Sequence, residues 1–308
     1  MTTIYYSRAR ERALQTLESV RTGAWVSVTA PNEEELDLLA AEYRLDRDNL
    51  EDAVDVYEAP RIDLEGDVVY LYTRYCYPEG REVATEPLLI IYAPNYLVTV
   101  VRAQTNILVR LEKDQLEFVT TQRTKLLLQM LAEVNRSYAL QMRKVSKRIL
   151  QLRGQMRRSR LTTQEFLSII ELEEDLNEFL SALQPQALLF RSLLNGKHLR
   201  LYEEDRDMIE DIEHSASELI TLVQGRLRTL VNMRQAYDAI ATTNLNATFK
   251  RLTSIAIFLT IPTIIGGLYG MNIALPFEHT PYAFAIVLGM IAAIVGVAVW
   301  MFKRNKWL

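Results

Sequence analysis

Seven carboxylates crowd one short stretch of this chain: Glu203, Glu204, Asp205, Asp207, Glu210, Asp211 and Glu213. Carboxylate oxygens are the ligands that hard divalent cations take, and Asp207 and Asp211 stand one helical turn apart on one face. The same acids would also solvate the start of a helix, and both readings stand. A second candidate is Asn272, in the run Gly270-Met271-Asn272. Its side-chain amide offers a neutral oxygen dipole as an acceptor. Other chemistry is missing. His198, His214 and His279 have no nearby partners suited to acid–base work or metal binding. The region before residue 110 has no glycine-rich phosphate loop, no histidine and no metal-ligand spacing. Neither an enzyme nor an organic cofactor is expected.

The elements that position these residues are set by hydropathy. Leu252 to Phe277 carries no charged side chain, Glu278 and His279 follow, and Thr280 to Phe302 is again uncharged. Each run meets the requirement of about 20 apolar residues for a helix to cross a bilayer. Lys250 and Arg251 precede the first span, Lys303, Arg304 and Lys306 follow the second, and the connection 271–281 has no Lys or Arg. The positive-inside rule then puts both termini in the cytoplasm and the connection outside. Met1 to Glu11 has no apolar stretch ahead of Arg8, Arg10 and Glu11, so the hairpin itself is expected to direct insertion.

With 308 residues and about 50 in spans, the bulk is a soluble body with its own core. A net charge of −4 with mixed signs exerts no global pull on nucleic acid. The single Cys76, between Tyr75 and Tyr77, excludes an internal disulfide and reads as packed core. Residues 1–110 read as an α/β domain: strands at Ala24–Ala30, Asp67–Tyr75, Leu88–Tyr92 and Tyr96–Val101, helices at Glu33–Tyr43 and Asp46–Tyr57. Pro78, Gly80 and Pro87 separate the strands. Residues 111–198 read as a helical hairpin. Its first arm is basic over Met142 to Arg160, and its second carries Glu171, Glu173, Glu174, Asp175 and Glu178. Antiparallel packing would face the two as solvated ion pairs, a reading preferred over nucleic-acid binding. A stalk helix at 199–251 continues into span 252–270, followed by an external loop 271–281, span 282–302 and a basic tail 303–308.

Two helices cannot enclose water, so conduction through this hairpin requires several copies. Steps of three and four from Asn246 give Phe249, Thr253, Ala256, Thr260, Thr263, Gly267 and Gly270, mostly small or hydroxylated. Such a face lines a shared aqueous axis, or else is a small-residue seam between helices.

Tyr269-Gly270-Met271-Asn272 at the end of the first span, a short loop, a second span and a terminal Lys-Trp-Leu resemble the CorA-type divalent-cation transporter family. The resemblance implies a funnel-shaped homopentamer in the plasma membrane of a prokaryotic cell. It implies passive, potential-driven uptake of hydrated Mg²⁺, with Co²⁺ or Ni²⁺ as further cargo. Gly270, Met271 and Asn272 become the selectivity filter at the pore entrance. Counting back from Asn272, Asp211 falls where the family has its regulatory intersubunit metal ligand, with Asp207 beside it and Asp67 or Glu86 of a neighbouring copy as partner. This chain departs from the family at Thr260, where a bulky apolar gate residue is usual, so Phe249 and Leu252 are expected to form the hydrophobic constriction. Two alternatives are a Zn²⁺ carrier of the same family, proton-coupled or not, and a membrane-tethered coiled-coil scaffold.

Overall fold

The computed structural model describes residues 1–8, 11–79, 82–102, 107–113, 118–157, 163–196, 198–271, 276, 281–305 and 307. It divides into two compact units, Met1–Met233 and Arg234–Leu308.

The first unit is built on one mixed sheet. Its strands are β1 (Thr2–Arg8), β2 (Glu11–Leu17), β3 (Ala24–Thr29), β4 (Arg61–Glu65), β5 (Val68–Glu79), β6 (Glu82–Tyr92) and β7 (Tyr96–Val101), in the spatial order β2-β1-β3-β7-β6-β5-β4. β3 and β7 run parallel, and every other neighbouring pair is antiparallel. The central strands are nearly continuous apolar runs because both faces are covered. Trp25, Leu71, Leu88, Ile90 and Leu97 point to one core; Val26, Tyr70, Leu89, Ile91 and Val98 point to the other. The second core is closed by α1 (Glu33–Tyr43) and α2 (Arg47–Asp52). Asn32 starts α1 with a reciprocal capping box to Glu35, and Asp46 caps α2 through the Asn49 amide.

The first core is closed by α3 (Val109–Glu112), α4 (Arg123–Arg157), α5 (Thr163–Leu194) and the first half of α6 (Glu203–Tyr269). On α6 the buried residues Ile209, Ile212, Ala216, Leu219, Val223, Leu230 and Met233 recur at steps of three, four and seven, a single stripe against the body. A buried line of amides ties α6 to the sheet. The Arg74 amide N–H on β5 donates to Gln186 Oε1 (3.4 Å), Gln186 Nε2 donates to Asn135 Oδ1 (3.3 Å), and Asn135 Nδ2 donates to the Ile212 carbonyl (2.7 Å). Gln186 is fully buried and Asn135 is 4 % exposed, so each is fixed by partners rather than water.

Several expectations need correcting. α2 stops at Asp52 rather than Tyr57. Pro78 and Pro87 lie inside β5 and β6, opposite Val83 and Arg74, instead of separating strands. There the two strands pair with each other alone, since β4 reaches β5 only at Val68–Tyr72 and β7 reaches β6 only from Leu88. An open edge is where a strand tolerates proline. β1, β2 and β4 are strands that the sequence does not announce, because polar residues interrupt their apolar alternation. Helices α4 and α5 share one described ion pair, Arg148 to Glu171 at 3.6 Å. Two of the five acids expected to face α4 reach the sheet: Asp175 accepts from the Val83 amide (3.3 Å), Glu178 from the Thr85 amide (2.7 Å).

The second unit contains the rest of α6 and α7 (Ala283–Arg304). Both helices are long and apolar enough to cross a membrane. The least exposed side chains of the hairpin are Ser254, Phe258, Ile261, Pro262, Ile265 and Tyr269 on α6 and Ala283, Val287, Ile291, Val295, Ala298, Val299 and Phe302 on α7, which mark the sides on which the two helices face each other. Phe258 and Phe302 meet edge to face with ring centroids 5.5 Å apart. Pro262 lies on the same side of α6 and is accommodated within the continuous helix.

A candidate pore face and an exposed acidic face on one helix

The hairpin leaves one side of α6 unused. With Ser254 taken as zero and about 100° per residue, the residues packed on α7 cluster within about 50° of one direction. Phe249, Leu252, Thr253, Ala256, Thr260, Thr263, Gly267 and Gly270 centre about 180° away, with Asn246 at the border of that face. All nine are exposed. The small and hydroxylated face is therefore not the seam of the hairpin; bulky Phe258, Ile261 and Ile265 form that seam. Thr260 and Thr263 donate their hydroxyls to the carbonyls of Ala256 (2.8 Å) and Leu259 (2.9 Å). With the proton engaged on the helix, each oxygen keeps lone pairs facing outward, an acceptor surface in an apolar span.

Further down the helix every side chain from Asp238 to Thr253 is exposed. Leu245, Phe249 and Leu252 form an apolar ladder at i, i+4 and i+7, exposed by 56 %, 56 % and 64 %. Leu245 escapes any stepping begun at Asn246; its spacing from Phe249 is the sequence signal that finds it. At the C-terminal end of α6 Gly270 N–H is shared between the carbonyls of Gly266 (3.0 Å) and Gly267 (3.3 Å), and Met271 N–H reaches Leu268 (3.2 Å), so the helix tightens and stops. A Cβ on Gly270 would stand 3.4 Å from the Gly266 oxygen. Tyr269 Oη donates to the Pro276 carbonyl (3.2 Å), tying the helix end to the following loop. Met271 is exposed; Asn272, Glu278 and His279 lie outside the described residues.

The acidic stretch divides in two. Asp205 accepts from the Tyr202 amide, and Glu213 is held by Arg191 Nε (2.6 Å) and Ser217. Glu203, Glu204, Asp207, Glu210 and Asp211 are exposed. Among the described residues no three acids, histidines or cysteines of one chain gather closely enough to hold a metal ion. Of the two acids considered as partners, Asp67 is exposed in the two-residue β4–β5 turn beside Gly66, whose φ is +57°. Glu86 is withdrawn: it is 5 % exposed, and Arg102 grips both its oxygens (2.9 and 2.7 Å). Those hydrogen bonds are the main reason the Arg102 pKa is raised.

Other reactive groups are placed in structure. Cys76 is buried, its amide donating to Ser137 Oγ (2.9 Å), and burial, reinforced by Glu178 and Asp175, pushes its thiol well up. His198 faces Ser192 (3.0 Å), and His214 pairs with Glu218 on the surface (3.2 Å).

An α/β body followed, along one continuous helix, by a hairpin of two helices long and apolar enough to cross a membrane defines the architecture of a membrane-protein class. The family model for the CorA-like Mg2+ transporter protein matches residues 21–304, and the chain belongs to that family. It is a divalent-cation transporter and not an enzyme. A relative, the cobalt/magnesium transport protein CorA of Methanocaldococcus jannaschii, is 24 % identical over 92 % of this chain and 91 % of its own length. The complete structure of the CorA magnesium transporter from that organism superposes with a TM-score of 0.88 at 21 % identity, covering 100 % of this chain and 99 % of its own. The zinc transport protein ZntB of Pectobacterium carotovorum is 24 % identical over 47 % of this chain and 52 % of its own length.

Proposed function

We propose that several copies of this chain, five by family resemblance, gather their α6 helices around a water-filled axis and pass hydrated Mg²⁺ inward, with Co²⁺ or Ni²⁺ as lesser cargo. The observation that carries this is the division of α6: its bulky face is consumed by α7, and its Thr- and Gly-bearing face is left for other copies. The exposed stretch from Asp238 to Thr253 supports assembly, since a helix bare on every side gains nothing from packing. Leu245, Phe249 and Leu252 fall on the same side as Thr253, Ala256, Thr260, Thr263 and Gly267 and would form the apolar constriction that a dewetting gate needs.

Gly270, Met271 and Asn272 stand at the outer mouth, where Asn272 amides hold the ion through its waters. Mg²⁺ dehydrates reluctantly, so neutral dipoles that leave the shell in place permit fast passage. Two positive charges moving inward across 100 mV gain about 4.6 kcal/mol, which drives uptake without ATP. Both termini lie in the cytoplasm of a prokaryotic cell, with Lys250, Arg251, Lys303 and Arg304 on that side. Cytoplasmic Mg²⁺ bridging Asp211 and Asp207 to Asp67 of the next copy closes the pore. Asp67 is favoured because it is exposed and Glu86 is not.

A Zn²⁺-carrying version is favoured by the similarity to ZntB, which spans about half of that protein. Flux into proteoliposomes decides between them. Mg²⁺ uptake that follows the imposed potential and ignores the pH gradient supports the channel; Zn²⁺ uptake that follows the proton gradient overturns it. Asn272→Ala should abolish flux while assembly persists, whereas a scaffold would be unaffected. Asp211→Asn should raise the Mg²⁺ concentration needed to shut the pore; an unchanged threshold removes Asp211 from the sensor.

A further inference from the structure

The C-terminal end of α7 is fixed on one side and bare on the other. Phe302 turns toward α6, where its ring meets Phe258, and Trp307 packs on Phe302 with ring centroids 5.3 Å apart. The Trp307 amide donates to the Phe302 carbonyl (3.0 Å), so the tail folds back and the aromatic row holds the end of the hairpin. With Phe302 taken as zero and about 100° per residue, Trp300 and Arg304 stand about 160° and 200° away, and Lys303 about 100°. All three are exposed, Trp300 by 60 %. The Arg304 guanidinium lies over the Trp300 ring, 5.4 Å from its centroid. Among the described residues no carboxylate pairs with Lys303 or Arg304. Toward the N-terminus of α7, Ile286, Met290, Ala293 and Val297 continue the same side at steps of three and four, all exposed and all apolar. A cation at a helix C-terminus is favourable by its sign alone. That effect requires neither an indole beneath the guanidinium nor an apolar stripe leading to it.

We propose that Trp300, Lys303 and Arg304 hold the phosphate of an anionic phospholipid at the end of the second span. Position names the occupant: α7 is long and apolar enough to cross a membrane, and its apolar stripe stops at this turn, so the three side chains sit at the depth where headgroups begin. At that depth an indole keeps its ring body against the acyl boundary and its N–H toward water. Arg304 offers a planar fork to phosphate oxygens, and the ring beneath it restricts its orientation. Lys303 adds a compact charge from the side. A headgroup of net negative charge is preferred over a zwitterionic one, whose own cation would be repelled by Lys303 and Arg304. Copies gathered on the free face of α6 leave this side outermost, because α7 lies on the opposite side of α6 and Trp300 and Arg304 lie on the far side of α7. A solitary hairpin leaves it equally bare. The lipid site therefore rests on α7 as a span and is independent of which ion is carried or how the pore closes.

The test uses the full chain carrying Trp307→Phe in phosphatidylcholine vesicles, where Trp300 reports by its fluorescence. Adding Trp300→Phe to that chain gives the background from Trp25, which is fully buried. A minor fraction of the lipid is replaced by brominated phosphatidylglycerol or by brominated phosphatidylcholine, in both leaflets, which removes any dependence on insertion direction. Bromine quenches an indole only at contact, so the difference between the two lipids reads the preference of the site. Phosphatidylglycerol should be preferred roughly fivefold for one cation and more with both in place. The preference should vanish in Lys303→Gln, Arg304→Gln. It should persist in Lys250→Gln, Arg251→Gln, which removes the same charge from α6. Equal quenching by the two lipids overturns the proposal, and so does an equal loss in both double variants, which would mark a general surface potential. Absence of quenching by either lipid would mean that another copy covers Trp300. Loss of the preference on adding inorganic phosphate, against chloride at the same ionic strength, would assign the site to a soluble anion; either result overturns it too.

Discussion

Replacing Asn135 by Ala should cut the amide line that holds α6 to the body. Asn135 makes two buried hydrogen bonds, from Gln186 Nε2 at 3.3 Å and to the Ile212 carbonyl at 2.7 Å. Ile212 still has its helical partner, so its loss is limited to the net value of one bond, about 1 kcal/mol. Gln186 is worse off. It is 0 % exposed, and its Nε2 would be left without an acceptor, a penalty of about 1–3 kcal/mol. The sum is about 2–4 kcal/mol, which for a body of this size lowers the unfolding temperature by roughly 5–12 °C. Making both side chains apolar, in the double variant Asn135→Leu, Gln186→Leu, leaves no stranded donor between them. The double should therefore cost less than its two single changes added together, with a coupling of about 1–2 kcal/mol. The assay is thermal unfolding of the detergent-purified protein by tryptophan fluorescence at one fixed scan rate, so that irreversibility affects all variants alike. A shift under about 2 °C for Asn135→Ala, or a double variant equal to the sum of its parts, would refute the assignment of this line as a unit.

Thr260→Cys and Ile265→Cys stand on opposite sides of α6. A charged, water-soluble thiol reagent should modify the first in bilayers and block flux, and leave the second untouched; the reverse pattern would put α7 on the wrong face. Gly23 has φ +85°, and a Cβ there would meet Thr121 Cγ2 at 2.7 Å, so Gly23→Ala should destabilise the body by about 2–4 kcal/mol, read as a lowered unfolding temperature. Cys76, whose thiol is buried and shifted upward, should resist alkylation at pH 8 in the folded protein and react at once in denaturant. Prompt labelling of the native protein would mean that the β5–α4 packing opens.

The sequence by itself determined the hairpin, the continuity of the stalk with the first span and the capped helix α1. These follow from local signals: uncharged runs of span length, Asn32 three residues before Glu35, and a long interval without proline ahead of Pro262. It also supplied the small-residue face of α6, because helical periodicity is read directly from spacing. Whether that face packs on α7 or stays free could not be read, since both outcomes use small residues; the tertiary structure decided it by placing Phe258 against Phe302. The fate of the acids was likewise a matter of packing. Glu86 and Asp67 look alike in the sequence, but Arg102, far enough along the chain to be brought close only by the β6–β7 pairing, buries one and leaves the other in a turn. Asp175 and Glu178 carry the same charge as Glu171, yet the open edge of the β5–β6 ribbon offered unpaired amides, and a buried N–H must find an acceptor. For these two acids that need outweighed the weak attraction of solvated ion pairs.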